Sequence, residues 1–149
     1  MTVSSPQGSI ETREDRAIEV VAALVRNRLG HLLLVRKKGT SAFMQPGGKR
    51  EPGENDLAAL TRELDEEIGC PIVPESAVAL GTYEDTAAHE PGRIVRAAIY
   101  EVRIAGEADC GAEIAETIWL DPRQPGDTPL APLTRNAVLP LALATPQAR

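Results

Sequence analysis

The sequence has few cysteines and no long apolar run, and both shortages exclude classes of protein. Its two cysteines, Cys70 and Cys110, lie far apart in the chain and form no Cys-x-x-Cys or Cys/His cluster, so they indicate neither a zinc site nor a disulfide framework. No stretch approaches the roughly 18 apolar residues of a membrane-spanning helix. The first 15 residues lack the basic start and apolar run of a signal peptide. We therefore expect a cytoplasmic protein without a membrane partner.

Basic residues are also scarce. Sixteen Lys and Arg stand against 22 Asp and Glu, which gives a net charge of −6 and a pI near 5.0. Surfaces that bind nucleic acids or anionic membranes use clustered Lys and Arg, so we expect no nucleic-acid partner. A small anionic ligand is compatible with this charge if a cation mediates its binding.

Aromatic residues are few as well. The sequence contains one Phe, two Tyr and one Trp, and large aromatic side chains in such small number are predicted to fill the core rather than to stack on a ligand. Phe43 lies beside a glycine-rich loop, and this position makes it the best candidate for stacking on a substrate.

The length of 149 residues and the hydrophobic content of 42% suit one globular domain. We predict a disordered segment over residues 1–15 and a single domain over residues 16–149. The apolar, β-branched run at residues 18–25 predicts a strand buried on both faces. Further strands are predicted at residues 31–38, 77–85, 92–104 and 116–120, and a closing helix interrupted by proline is predicted at residues 133–144. Strands around one long helix predict a mixed α/β fold.

That long helix is predicted over residues 56–68. Asn55 is a suitable N-cap, and Gly69 provides a stop signal. Four apolar positions fall within an arc of roughly 80° on a helical wheel and predict the buried face. These positions are Leu57, Leu60, Leu64 and Ile68.

The same helix carries Glu63, Glu66 and Glu67 in its C-terminal half. A helix C-terminus already has partial negative charge, so each carboxylate there is disfavoured by roughly 0.3 to 1 kcal/mol. Clustered carboxylates without nearby His or Cys suit a hard divalent ion such as Mg²⁺ or Mn²⁺, which would offset the repulsion. The alternative is an ordinary solvated acidic face.

The spacing of these residues resembles the signature of the Nudix hydrolase family. Gly48 is followed after five residues by Glu54, and seven residues later by Arg62-Glu63-Leu64. Glu66-Glu67, one residue and Gly69 complete the pattern, so every fixed polar position is present. The resemblance covers 23 of the 149 residues. Cys70 departs from it, because a bulky aliphatic residue usually stands there, and we expect only a minor effect on packing.

The resemblance implies an α/β/α sandwich with a mixed β-sheet. It also implies a metal-dependent hydrolase that cleaves the pyrophosphate linkage of a nucleoside diphosphate joined to another group. Such a substrate is a nucleoside triphosphate, oxidised or not, or a nucleotide sugar. The residues that the resemblance assigns to the metal ion are Glu63, Glu66, Glu67 and the carbonyl of Gly48. Arg62 is expected to orient a carboxylate such as that of Glu54 by a charge-assisted hydrogen bond.

Members of the family differ in their general base. Some use a glutamate of the signature, which here is Glu67 or Glu66, and others use an acid from a distal loop. Glu113 and Glu116 precede or begin the last predicted strand and are the distal candidates. Each of these two could equally be a solvated acid at a strand edge.

Candidates for substrate binding are less distinct. Arg36, Lys37 and Lys38 end the second predicted strand next to the glycine-rich loop and could hold substrate phosphates. A solubilising strand end explains such a cluster equally well. His89, in a polar loop, could line the pocket or be solvated.

A different class of function also fits part of the pattern. A noncatalytic Nudix-like module could bind a nucleotide and regulate another process. Such modules commonly lose carboxylates of the signature, whereas all are intact here, so we favour the enzyme. The expected partner is a small nucleotide-type substrate, and the resemblance also allows a homodimer, because dimers are frequent among similar proteins.

Overall fold

The computed structural model describes residue 12 and residues 16–145. The segment predicted to be disordered, residues 1–15, lies outside the described residues except for residue 12. The assignment of residues 16–149 to one domain stays a prediction. In the described part of the chain, no helix is long and apolar enough to cross a membrane.

Within the described residues, six strands form two sheets. They are β1 (Ala17–Leu24), β2 (Leu32–Lys37), β3 (Gly47–Gly48), β4 (Ile72–Thr86), β5 (Ile94–Ile104) and β6 (Ile114–Leu120). The larger sheet has the order β3-β1-β5-β4, and β2 pairs with β6 in the smaller one. Strand β1 is parallel to β5 and antiparallel to β3. These mixed directions confirm the predicted mixed α/β fold.

Helix α1 (Asp56–Ile68) has the predicted bounds. The Asn55 side chain accepts a hydrogen bond from the backbone N–H of Ala58, which gives one unpaired donor of the first turn a partner. At the other end, Gly69 adopts φ 64° and its N–H donates to the Asp65 carbonyl. A side chain at this left-handed position would be strained, so glycine ends the helix there.

The buried face of α1 is rotated relative to the apolar pattern. Leu57 was predicted to be buried but is only half-buried, whereas Ala59 and Glu67 are buried. On a wheel of 100° per residue, Ala59 and Glu67 lie on one side of Leu60, and Leu57 lies on the other. The acidic side of α1 therefore faces the sheet more closely than the leucine pattern predicted.

Strand β1 lies inside the larger sheet, and both of its faces are covered. Side chains at alternating positions point to opposite faces. Val21 and Ala23 pack in the cluster that contains α1, and Ala22 and Leu24 pack in the cluster that contains the C-terminal helix. Helices on both faces of the sheet confirm the α/β/α sandwich.

The C-terminal helix differs in detail from its prediction. A π-helical turn (Thr134–Val138) leads directly into α2 (Leu139–Ala144). The wider turn suits the chain because Pro140 cannot donate a backbone hydrogen bond and its ring would crowd the carbonyl four residues earlier. Proline thus changes the helix type rather than ending the helix. Strand β4 also begins earlier than predicted, at Ile72 rather than residue 77, since its pairing with β5 continues across two irregularities.

Candidate active site

The loop between β2 and α1 brings backbone against the acids of α1 at two glycines. Gly47 has φ 151°, and a Cβ atom there would lie 2.1 Å from the Val21 carbonyl oxygen. Its N–H donates to Glu67 Oε1 at 3.1 Å. At Gly48, a Cβ atom would lie 2.1 Å from Glu63 Oε2. The absence of side chains at these positions lets the loop pack directly on β1 and on two of the three glutamates.

Arg62 holds the loop from the helix side. Its Nε and Nη2 atoms donate to the two carboxylate oxygens of Glu54 at 2.8 and 2.9 Å, and Nη2 also donates to the Lys49 carbonyl at 2.9 Å. The hydrogen bonds from Arg62 and from the backbone of Glu51 lower the pKa of Glu54 to about 2. Glu54 therefore stays ionised at neutral pH and serves as an anchor, which is the arrangement that the resemblance implied.

The three glutamates of α1 differ in burial. Glu67 is only 8% exposed, and burial raises its pKa to about 7, although the hydrogen bond from Gly47 opposes this. Burial also raises the pKa of Glu63. Glu66 is exposed. These raised pKa values mean that the protein has removed the carboxylates from water without fully compensating their charge. A cation binds favourably under this condition.

The carboxylates line one cleft but do not converge on one point. In the described part of the chain, no group of three or more His, Cys, Asp or Glu side chains is arranged to hold a metal ion. Arg62 explains this, because its Nη1 atom lies 3.3 Å from Glu63 Oε2 and 3.3 Å from Glu66 Oε1. Glu67 is instead turned toward Gly47. The donor chemistry fits a hard divalent ion, which would compete with Arg62 for two of the three side chains.

The cleft has a volume of about 660 Å³, within the range of small-molecule sites. Its lining combines acidic and basic side chains with a larger number of apolar ones. The residues of the acidic wall and its surroundings are Lys37, Gly47, Gly48, Lys49, Glu63, Glu66, Glu67 and Glu113. The remainder of the lining includes Ile18, Val20, Ala22, Met44, Gln45, His89, Val95 and Leu133.

The structure brings some of the predicted site residues together and separates others. All of the residues assigned to the metal line the cleft, as does Glu113. The described residues that line the cleft do not include Arg36, Lys38, Phe43 or Glu116. Arg36 instead donates to Glu116 at 3.1 Å and lies over the Phe43 ring, 5.9 Å from its centroid. Phe43 packs in the core.

Alternation along β2 accounts for the placement of the basic residues. Val35 packs in the cluster that contains α1, and Leu34 packs in the opposite cluster. Side chains two apart in a strand share a face, so Lys37 follows Val35 to the α1 side and lines the cleft. Arg36 follows Leu34 to the other side. This signal was present in the sequence and favours Lys37 over its neighbours.

Two other polar residues of the cleft had no such signal. Gln45 lies in the irregular stretch before Gly47, where no periodic pattern indicates which way a side chain points. His89, which its polar loop made a candidate for the pocket, lies in the turn between β4 and β5 and does line the cleft, because the pairing of those strands brings it there.

Comparison with known proteins places this geometry in a family. The profile of the NUDIX domain matches residues 5–140. The chain belongs to the Nudix family. It is 33% identical over 112 residues to the 8-oxo-dGTP diphosphatase of Haemophilus influenzae, a match that covers 72% of this chain and 79% of that protein.

Two further relatives agree. The chain is 32% identical over 124 residues to the CTP pyrophosphohydrolase of Escherichia coli, covering 78% of this chain and 85% of the relative. The solution structure of the E. coli ORF135 protein superposes with a TM-score of 0.65 and 29% identity, covering 94% and 92% of the two chains. The expectation of a Nudix-type pyrophosphohydrolase is therefore confirmed. Nudix hydrolases generally use divalent metal cations.

Proposed function

We propose that this Nudix enzyme hydrolyses a nucleoside triphosphate, in normal or oxidised form, with Mg²⁺ or Mn²⁺. Water attacks phosphorus, one phosphoanhydride bond breaks, and a nucleoside monophosphate and pyrophosphate are released. The observation that carries this proposal is the cleft, whose lining joins Glu63, Glu66, Glu67 and Gly48 with apolar side chains. The names of both sequence relatives support a triphosphate rather than a nucleotide sugar.

The acidic wall would hold the divalent ion. Its donors are the carboxylates of Glu63, Glu66 and Glu67, together with the Gly48 carbonyl. When bound, such an ion neutralises phosphate charge and lowers the pKa of a bound water. Arg62 contributes by fixing Glu54, and with it the loop that carries Gly48.

Basic side chains at the same end of the cleft would hold the substrate phosphates. Lys37 and Lys49 line the cleft beside the glutamates, so they are better placed for this role than Arg36 or Lys38. The general base is Glu67 or Glu66, or else Glu113 from the distal loop, all of which line the cleft. Glu116 is less suited, because it is paired with Arg36 on the other side of β2.

The cellular location is proposed from the cysteines. Two unpaired cysteines are compatible with the reducing cytoplasm that we propose as its location. A homodimer stays a prediction.

The test is release of pyrophosphate across a panel of nucleoside triphosphates, nucleotide sugars and dinucleotides, with Mg²⁺, with Mn²⁺ and with a chelator. We expect turnover on a triphosphate that chelation abolishes. Glu67→Gln should lose at least about a hundredfold in kcat. Asp65→Asn is the matched control, because Asp65 lies on the same helix but faces a separate surface groove.

Two results would contradict the proposal. Wild-type turnover by Glu67→Gln at saturating Mg²⁺ would remove this residue as a ligand or general base. Tight nucleotide binding without turnover on any member of the panel would favour the noncatalytic module instead.

A further inference from the structure

A buried amide lies in the cleft wall away from the acids. Gln45 is 9% exposed, and its Oε1 atom accepts a hydrogen bond from the Thr134 hydroxyl at 2.7 Å. Thr134 is fully buried. Of this pair, Gln45 lines the cleft, whereas Thr134 does not. The hydroxyl therefore holds the amide oxygen from the interior side, which leaves the amide nitrogen as the atom of this side chain available to a ligand in the cleft.

That nitrogen has no hydrogen-bond acceptor among residues 16–145. A side-chain amide has two N–H donors on this atom. Buried polar groups are nearly always paired, and one that is left without a partner costs free energy. A donor held in a buried wall, with its oxygen already occupied, is arranged for an acceptor that enters the cleft.

The backbone fixes Gln45 on both sides. Met44 exchanges two backbone hydrogen bonds with Val35 of β2, and the carbonyl of Pro46 accepts one from Ala23 of β1. The amide thus sits between two segments that are tied to different strands. Its position is set before a ligand arrives, which reduces the ordering cost of binding.

Gln45 and the glutamates of α1 line the same cleft, so one nucleotide can meet both. Gly48 follows Gln45 by three positions, which sets their backbones at most roughly 10 Å apart. A ribose and its first phosphate would bridge such a gap between a nucleobase and the linkage to be cleaved. Apolar side chains of Val20, Ala22 and Leu133 also line the cleft, and they offer the base a surface to pack on.

We propose that Gln45 is a specificity-determining residue, and that its amide nitrogen donates a hydrogen bond to a carbonyl oxygen of the substrate's nucleobase. The substrate class is then a nucleotide with an oxopurine or a pyrimidine base. Adenine is disfavoured because it has no carbonyl group and would leave the donor unpaired. Thr134 is a positioning residue that acts through Gln45. This inference rests on the proposed function for the identity of the ligand.

Binding is measured first, because it does not require turnover. Calorimetry with dGMP and dAMP should show that the wild-type protein prefers dGMP by about tenfold or more, the effect of one hydrogen bond. Gln45→Leu should abolish most of this preference by weakening dGMP binding. Gln45→Glu replaces the donor by an acceptor and should shift the preference toward dAMP. Asp65→Asn, at a residue outside the cleft, should leave the ratio unchanged.

The positioning role of Thr134 has its own pair of variants. Thr134→Val keeps the shape of the side chain but removes the hydroxyl, and it should reduce the dGMP preference. Thr134→Ser keeps the hydroxyl and should restore the preference. A merely structural role would lower the stability of both variants without changing the ratio of the two affinities.

The outcomes separate this inference from the proposed function. Equal affinity of the wild-type protein for dGMP and dAMP, or an unchanged ratio in Gln45→Leu, overturns the inference even if nucleoside triphosphates are hydrolysed. A ratio that depends on Gln45 in a protein without turnover supports the inference and overturns the proposed function. The ratio of kcat/KM for dGTP and dATP should follow the same order among the variants.

Discussion

Substitution of Gly48 by alanine perturbs the site by adding a single Cβ atom. The added Cβ atom would lie 2.1 Å from Glu63 Oε2, whereas ordinary van der Waals contact begins near 3.4 Å, so the carboxylate must move by about 1.3 Å. Gly48 is not in the left-handed region, so alanine fits its backbone. The clash is with the far end of a flexible side chain, and we expect stability to change little.

Activity should change far more than stability. A displacement of about 1 Å at a catalytic group can cost on the order of 100-fold in rate, which corresponds to about 2.7 kcal/mol of transition-state stabilisation. We therefore expect kcat/KM of Gly48→Ala to fall about 100-fold, with the apparent affinity for Mn²⁺ reduced as well. The assays are steady-state release of pyrophosphate and urea denaturation of the same preparations.

The control variant separates glycine strain from carboxylate displacement. Gly126 has φ 61° and open space around its would-be Cβ atom, in the connection before the C-terminal helix. Gly126→Ala should lose about 1 kcal/mol of stability from the left-handed conformation and keep full activity. Full activity and metal affinity in Gly48→Ala would refute the reasoning, because the position of Glu63 would then not matter.

Two other predictions concern the ion pair behind the site. Arg62→Lys keeps the charge but loses the guanidinium fork that holds both oxygens of Glu54 and the Lys49 carbonyl. We expect kcat to fall roughly 10- to 100-fold, without recovery at high Mg²⁺. A rate that added metal restores would contradict this expectation. Glu54→Gln tests the pH dependence of stability. Arg62 lowers the pKa of Glu54 to about 2 from an ordinary value near 4.5. The charged carboxylate therefore stabilises the fold at pH values above 4.5, and this contribution is lost as the pH falls toward 2. Urea denaturation should show a wild-type advantage over Glu54→Gln at pH 6 that shrinks between pH 4.5 and pH 2, and a constant difference would contradict the pairing.

Local signals in the sequence predicted the elements that local interactions determine. The bounds of α1 follow from Asn55 and Gly69, whose side-chain and backbone chemistry act within one turn of the helix. The direction of the acids was predicted less well, because the leucine pattern placed Leu57 in the buried face and did not include Glu67. Packing of the whole helix against β1 decided the rotation, and that packing depends on residues far away in the chain.

The apolar half of the cleft could not be predicted for a similar reason. Gln45 and Thr134 are 89 residues apart and meet only when the C-terminal helix covers the sheet. Arg36 and Phe43 were candidates for substrate binding because they flank the loop. The pleat of β2 turns Arg36 away from α1, and burial with the C-terminal helix makes Phe43 part of the core. The strand face on which a residue lies is thus a better indication of a role in the site than its proximity to a motif in the sequence.

The central claim is that Glu63, Glu66 and Glu67 together hold a divalent cation. The most direct test is a calorimetric titration of Mn²⁺ into the protein with the nucleoside monophosphate present. We predict saturable binding by the wild-type protein and by Asp65→Asn, and at least about tenfold weaker binding after each single change of these three glutamates to glutamine. Equal Mn²⁺ affinity in the wild-type protein and all three glutamine variants would contradict the account.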